Sequence, residues 1–317
     1  MANMLLQRYC YSSSPRLLLR KISSSSSRAP KRALPGIHRI ILIRHGESLG
    51  NIDERAYGET ADWRIPLTNR GREQARVAGK KVASHIMPSD MNANTAEGTR
   101  SNNIFFYVSP YLRTRQTLRE ILHEIPSDQI LGIREDPRIS EQQFGNFQSH
   151  HTMQDNKATR SDFGRFFYRF PEGGESGFDV YNRVSGFIGT LKRDSAEYYN
   201  DDEAQEGDST TICIVTHGLS LRLFLMRWFQ YSVHEFERSY NPKNAAVVVL
   251  ERDPGGWFEL SPVDRIAMGF PSYQEQEVSV CLLLHNSSEV QFLIIHCSSL
   301  QRFRLMHDYS LLDKSAW

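Results

Sequence analysis

Two apolar runs in this chain stop in the same way. Ile40 to Ile43 leads into Arg44-His45-Gly46, within IILIRHGES, and Ile212 to Val215 leads into Thr216-His217-Gly218, within TICIVTHG. Short unbroken runs rich in β-branched side chains read as strands buried on both faces, the habit of parallel strands in layered α/β folds. In such folds ligands collect beyond the carboxyl ends of the strands, at a switch in strand order. If the two strands are parallel neighbours, His45 and His217 face one crevice. The glycine after each lets the backbone come close to whatever sits there.

The remaining pattern fits that frame. IFFYVS (104–109) reads as a further strand, and Pro110 opens a helix, YLRTRQTLREIL, that carries Arg113 in its first turn. AAVVVLE (245–251) reads as a fourth strand. Helices are expected over residues 71–87, where Ala75, Ala78, Val82 and Ile86 recur at helical spacing between a Thr68 cap and Pro88, over 177–193, and through LSLRLFLMRWF after Gly218. Strand and helix alternate, so the expected fold is a three-layer α/β/α sandwich with a largely parallel central sheet. Residues 89–103 and the acidic stretch SAEYYNDDEAQEGDST read as solvated loops. Residues 135–177 read as irregular, with Phe163, Phe166, Phe167, Tyr168 and Phe170 packed onto the domain.

Composition narrows the partners. The 317 residues are 39% hydrophobic with a formal net charge of +1, enough for a sizeable core and no general reason to meet nucleic acid or an anionic surface. No run approaches the roughly 18 apolar residues of a spanning helix. Cys10, Cys213, Cys281 and Cys297 lack metal-ligand spacing, which suits a reduced compartment. The start is different from the rest. No acidic residue precedes Glu47, while Arg8, Arg16, Arg20, Lys21, Arg28, Lys31, Arg32 and Arg39 are basic and Ser12–Ser14 and Ser23–Ser27 form serine runs. Residues 1–36 therefore read as a disordered organellar leader, for a chloroplast or alternatively a mitochondrion, with the cytoplasm as the location if the leader is not used. Residues 37–255 form the expected catalytic domain and 256–317 an irregular extension. His285, His296 and His307 in that extension recur every 11 residues without compact metal spacing.

Arg44, His45, Arg113 and His217 thus converge, two permanently charged forks and two imidazoles beside helix N-termini. Such a group suits a multiply charged oxyanion, most plausibly phosphate. RHGES with Asn51 six residues after His45, SPYLRTRQT around Arg113 and VTHG at His217 occur in an order that resembles the histidine phosphatase superfamily, which includes the cofactor-dependent phosphoglycerate mutases and many phosphatases. The resemblance spans about residues 38–250 and implies the phosphoglycerate mutase-like fold, here in a plant member of the phosphatase branch.

It also implies roles. His45 resembles the nucleophile that becomes a phosphohistidine; Arg44, Arg113, His217 and Asn51 resemble the phosphate pocket; Glu141, in ISEQQFG, matches the position of the mutases' acid. Nearby arginines suppress imidazolium formation and stabilise charge on the equatorial oxygens, and Glu141 can protonate the leaving alkoxide and then deprotonate water. No metal or cofactor is required. Where the mutases have an arginine and a histidine after the glutamate, this chain has Gln142 and Gln143, which bring no positive charge to a substrate carboxylate. Hydrolysis is therefore favoured over mutase transfer. Gln142, Gln143, Arg165, Tyr168, Arg169 and Glu175 are candidates for a flap that shapes the substrate, with Arg160 as a further cation and Ser176 as a helix cap. The expected substrate is a small phosphorylated molecule, with a phosphoprotein as the wider reading; a noncatalytic phosphoprotein-binding protein of this fold is the alternative of another class.

Overall fold

The computed structural model describes residues 37–86, 102–145, 150–199, 209–253 and 256–271. The leader, most of the 89–103 loop, residues 200–208 of the acidic stretch and the tail beyond 271 lie outside the described residues.

In chain order the elements are β1 (Ile37–Arg44), α1 (Leu49–Ile52), α2 (Ala56–Glu59), α3 (Asn69–Ile86), β2 (Asn102–Val108), α4 (Leu112–Leu122) and β3 (Ile130–Glu135). They continue as α5 (His150–Phe163), α6 (Gly177–Tyr199), β4 (Ser209–Thr216), α7 (Gly218–Phe229), α8 (Val233–Arg238), β5 (Val247–Arg252), β6 (Phe258–Leu260) and α9 (Pro262–Ala267). The strands form one sheet in the order β3-β2-β4-β1-β5-β6. β3, β2, β4 and β1 are parallel, whereas β5 and β6 run antiparallel at one edge. This is the expected sandwich: Ile41, Ile43, Phe106, Cys213 and Val215 pack beneath Val82, Ile86, Leu118 and Ile121 of α3 and α4. On the other face Tyr107 meets Phe187 of α6, and α7 lies over β1. Ile40 to Ile43 are all fully buried, which is why the run shows no alternation.

Register does the positioning. β1 and β4 are adjacent with Arg44 opposite Thr216, so His45 and His217 leave the sheet side by side, joined by a 2.9 Å bond from His45 N–H to the Thr216 carbonyl. On the far side of β4, Ser109 N–H bonds the Val215 carbonyl, so β2 ends at the same level. Thr68 caps α3 by accepting from Gly71 N–H at 2.9 Å. A Cβ on Gly46 would lie 2.3 Å from the Gly71 carbonyl oxygen, so this backbone crossing admits only glycine.

The structure departs from the sequence reading in several places. Residues 135–177 contain a 14-residue helix, α5, whose polar sequence HHTMQDNKATRSDF offers no apolar period to read. β3 is a half-exposed edge strand with no continuous apolar run. The expected boundary at 255 falls inside the sheet, because β6 pairs with β5 beyond it and is only three residues long, too short to show a pattern. Of the aromatic stretch, Phe166 and Phe170 are buried as expected, whereas Phe163 and Phe167 are exposed.

Candidate active site

The first side chain beyond β1 is held in one protonation state. His45 Nδ1 lies 2.7 Å from the Gly46 carbonyl, which can only accept, so Nδ1 carries the proton and Nε2 carries the lone pair. Burial pushes the imidazole's pKa well below its ordinary 6.5, and Arg113 and Arg44 push it further down. His45 is thus a neutral, buried base with a free nitrogen.

His217, at the N-cap of α7, stands with its ring centroid 5.2 Å from that of His45. Ser109 Oγ lies 2.8 Å from its Nε2 and has no other acceptor among the described residues, so the hydroxyl donates and the ring proton falls on Nδ1. That Nδ1 is buried without a partner. Burial, then Arg113 and His45, hold this imidazole neutral too.

The arginines repeat the motif. Arg113 is 2% exposed; its Nη1 donates to the Asp62 carbonyl at 2.8 Å and to Asp62 Oδ1 at 2.7 Å, while Nε is buried and unpartnered. Burial works against its charge, but Asp62, with Tyr57 and Glu141, outweighs it and raises its pKa. Arg44 donates Nη1 to the Pro242 carbonyl at 2.7 Å and likewise leaves Nε buried and unpartnered. Three N–H donors from Arg44, Arg113 and His217 therefore await acceptors beside the free His45 nitrogen. Buried polar groups are ordinarily satisfied, so such a cluster is the signature of a bound oxyanion.

Glu141 follows the single-turn helix Pro137–Ile139 and lies with Oε2 3.8 Å from His217 Nδ1. Burial raises its pKa, opposed in part by Arg113 and by the Gln142 N–H that bonds Oε1. With His217 held neutral, this approach is not an ion pair. His45, Glu141 and His217 also present donor atoms within 4.8 Å of one another, a spacing open to a cation. Arg44 and Arg113 stand at the same point and would repel a dication there, so the set suits an anion.

The other sequence candidates divide. Asn51 is exposed and uses Oδ1 to accept from Ser48 N–H and from Asn244 Nδ2, leaving its amide nitrogen without an acceptor among the described residues. Gln142 is buried, donating to the Glu175 carbonyl at 2.9 Å and accepting from Arg160 at 3.5 Å. Gln143 donates to the Tyr111 hydroxyl. Glu175 is an anchor, pairing with Arg183 at 2.9 and 3.0 Å and accepting Gln143 N–H. Arg165 pairs with Glu237 of α8, Tyr168 donates to Asn156 of α5, and Arg169 pairs with Asp179 of α6, so all three are engaged by other protein groups. Ser176 caps α6, accepting from Asp179 N–H.

Sequence reasoning missed the residues that hold the site. Asp62 fixes Arg113, and Arg183 clamps the carbonyls of Arg138, Ser140 and Glu141. Neither sits in a motif; Asp62 lies in a 3-10 turn and Arg183 on an ordinary amphipathic helix.

Comparison with known proteins agrees with this geometry. The model of the histidine phosphatase superfamily (branch 1) matches residues 40–264. The chain is 48% identical over 231 residues to phosphoglycerate mutase-like protein AT74H of Arabidopsis thaliana, covering 73% of this chain and 79% of that one. It is 32% identical over 290 residues to the broad-range acid phosphatase DET1 of Saccharomyces cerevisiae, covering 68% and 85%. The structure of a mycobacterial glucosyl-3-phosphoglycerate phosphatase superposes with a TM-score of 0.51 at 20% identity, covering 74% of this chain and 99% of that one, a likeness of fold.

Proposed function

Because the chain belongs to branch 1 of the histidine phosphatase superfamily, we infer that it hydrolyses phosphomonoesters through a phosphohistidine formed on His45. The observation that carries this reading is the trio of buried, unpartnered N–H donors on Arg44, Arg113 and His217 around a histidine whose free nitrogen is fixed as Nε2. Phosphate oxygens are the acceptors these donors lack. His45 Nε2 attacks phosphorus in line with the departing oxygen, and the arginines and His217 hold the equatorial oxygens as charge spreads over them. Glu141, whose pKa burial raises, gives its proton to the leaving oxygen. Water then attacks the phosphohistidine, Glu141 takes the water's proton, and His45 is regenerated.

The yeast relative's description as a broad-range acid phosphatase supports hydrolysis. Gln142 and Gln143, each tied by its side chain to neighbouring protein groups, support it over transfer to a bound acid. The substrate is a phosphorylated small molecule, with a phosphoprotein as the wider alternative. The test is phosphate release from p-nitrophenyl phosphate, sugar phosphates, nucleotides and 3-phosphoglycerate, with rapid quenching to trap an acid-labile phosphoenzyme. Isomerisation of 3-phosphoglycerate without release would replace hydrolysis by mutase transfer. We further propose that residues 1–36 direct import into a chloroplast or mitochondrion. A fluorescent protein fused behind them and left in the cytosol would remove that reading.

A further inference from the structure

Tyr111 takes no part in the reaction above, yet it touches three of the groups around it. It stands at the N-cap position of α4 and is 5% exposed. The guanidinium carbon of Arg113 lies 4.8 Å from the centre of its ring. The His217 ring meets it edge to face, with 4.9 Å between centroids and 71° between planes. Its hydroxyl accepts from Gln143 Nε2 at 2.8 Å, and Gln143 stands two residues after Glu141 on the same loop.

The two pocket groups need that support. Among the described residues Arg113 is engaged at Nη1, by the carbonyl and the carboxylate of Asp62. A guanidinium pinned at one nitrogen can still tilt about it, and an aromatic face against its plane removes that freedom. His217 is likewise pinned at one ring atom, Nε2, by Ser109 Oγ. Contact with Tyr111 limits its rotation about that bond. The two unpartnered atoms, Arg113 Nε and His217 Nδ1, are thus both referred to a single ring. They must converge on the oxygens of one phosphate, so their spacing matters.

The ring itself is well fixed. Its backbone N–H lies 3.5 Å from Ser109 Oγ, the hydroxyl that also sets the His217 tautomer. Its carbonyl accepts from the Thr114 N–H at 3.1 Å and from the Thr114 hydroxyl at 2.7 Å. Burial and then Asp62 push the phenol's pKa up, opposed in part by Arg113, so the hydroxyl stays neutral and its bond to Gln143 does not depend on working pH.

We propose that Tyr111 is a positioning residue with two separable actions. Its ring sets the spacing of Arg113 and His217 in the phosphate pocket, and its hydroxyl holds the loop that carries Glu141 in line with them. This inference rests on the hydrolase reading above and adds to it a residue that ties the proton donor to the pocket. Tyr111 exchanges no proton with substrate and takes part in no covalent step.

Two substitutions in the full chain separate the actions. Tyr111→Phe keeps the ring and removes the link to Gln143. It should lower kcat on glycerol 3-phosphate about tenfold, the scale of one hydrogen bond, and leave kcat on p-nitrophenyl phosphate within about twofold, because nitrophenolate departs without a proton. The affinity for inorganic phosphate, measured by calorimetry, should stay within that same factor. Gln143→Ala, at an exposed position, should reproduce the effect, and the double variant should lose no more than either alone. Tyr111→Leu removes the ring and should weaken inorganic phosphate binding and raise KM on both esters about tenfold, the scale of a cation–π contact with an aromatic pair. Recovery of phosphate affinity in Tyr111→Phe over Tyr111→Leu assigns that loss to the ring. Thermal unfolding accompanies each variant, and Tyr111→Met, which fills the space with a flexible chain, replaces Tyr111→Leu if the latter does not fold.

An equal loss on both esters in Tyr111→Phe, or unaltered phosphate affinity in a folded variant lacking the ring, would overturn the proposal and leave hydrolysis standing. Absence of phosphate release from either ester by the unaltered chain would instead remove the hydrolase reading and, with it, the action assigned to the hydroxyl. Phosphate binding would still decide the action of the ring.

Discussion

The two sides of Glu141 are built by different means. On the phosphate side, His45 and His217 extend from adjacent, register-matched strands, and Arg113 from the first turn of the helix after a third. Their placement is set by a sheet whose central residues are fully buried. On the other side, Gln142, Arg160 and Arg165 stand on a loop, a mostly polar helix and a turn. They are held by side-chain links: Lys157 to Glu54, Arg165 to Glu237, and Glu175 to Arg183. A strand end fixes atoms more firmly than a polar network does, so the chemistry rests on the rigid half and substrate shape on the adjustable one.

The rigid half should tolerate loss of function without loss of fold. His45→Ala is expected to lower kcat by at least about 10⁴-fold, the scale of nucleophile deletions. The melting temperature should move by no more than about 4 °C, since the residue lies beyond the core strand. Steady-state kinetics beside thermal unfolding checks both. A collapse of stability would mean that the phosphate side is not an independent platform and would break the comparison at its first term.

Glu141 lies between the halves, and its substitution should read out leaving-group chemistry. Glu141→Gln should cost about 10²- to 10⁴-fold in kcat on alkyl phosphates, whose alkoxide needs a proton, and much less on p-nitrophenyl phosphate. The pH sign follows from the two shifts. Burial raises the Glu141 pKa, so the protonated acid persists to higher pH than an ordinary carboxyl, and kcat on alkyl esters falls as pH rises through that raised value. His45 is depressed well below 6.5, so the nucleophile stays neutral, and active, to acidic pH. The profile should therefore lie toward acid, and Glu141→Gln should flatten its alkaline limb. An unchanged limb would assign the proton to another group.

Asp62 sharpens the rigid side further. Its carboxylate and carbonyl both engage Arg113, and Asn in its place keeps the carbonyl contact while removing the charge. Asp62→Asn should raise KM roughly tenfold, the effect of losing one charge-assisted hydrogen bond that orients a phosphate ligand. Inorganic phosphate inhibition should weaken in parallel. If neither changes, Arg113 is held without the carboxylate, by the carbonyl of residue 62 and by packing that includes the Tyr111 ring 4.8 Å from its guanidinium carbon.

The same division decided what could be read from sequence. Strands buried on both faces must be unbroken apolar runs, so β1, β2, β4 and their polar ends stood out, and parallel pairing brought Arg44, His45, Arg113 and His217 together. Layer order and the antiparallel position of β5 needed only the usual connection rules or the coordinates. The adjustable half left weaker traces. α5 is too polar in sequence to carry a period, β3 is half-exposed, and β6 is three residues long. Asp62 acts on Arg113 51 residues away and Arg183 on carbonyls 42 to 45 residues away, and spacing alone cannot announce such contacts. Tyr111 was hidden differently: in SPYLRTRQT it reads as one aromatic at the head of a helix, and only its three contacts reveal what it holds.

The smallest effect tests whether every cation on the adjustable side counts. Arg169 was a candidate on the same grounds as Arg165, but its side chain is 61% exposed and already engaged, at 2.6 Å from Asp179 and 3.1 Å from the Gly174 carbonyl. An exposed pair of this kind contributes about 0–1 kcal/mol and is screened by salt. Arg169→Ala should change kcat/KM by less than about twofold on any phosphomonoester, because a charge already met by a carboxylate has little left to offer a ligand. Its stability cost should fall within that same range and shrink in high salt. Arg160→Gln, which removes a half-buried cation with no carboxylate partner among the described residues, supplies the contrast under identical assay conditions. If Arg169→Ala lowered kcat/KM as strongly as Arg160→Gln, the two arginines would be acting as one diffuse cationic surface. Affinity would then follow total charge rather than the unpaired groups, and ionic strength would weaken binding of every anionic substrate alike.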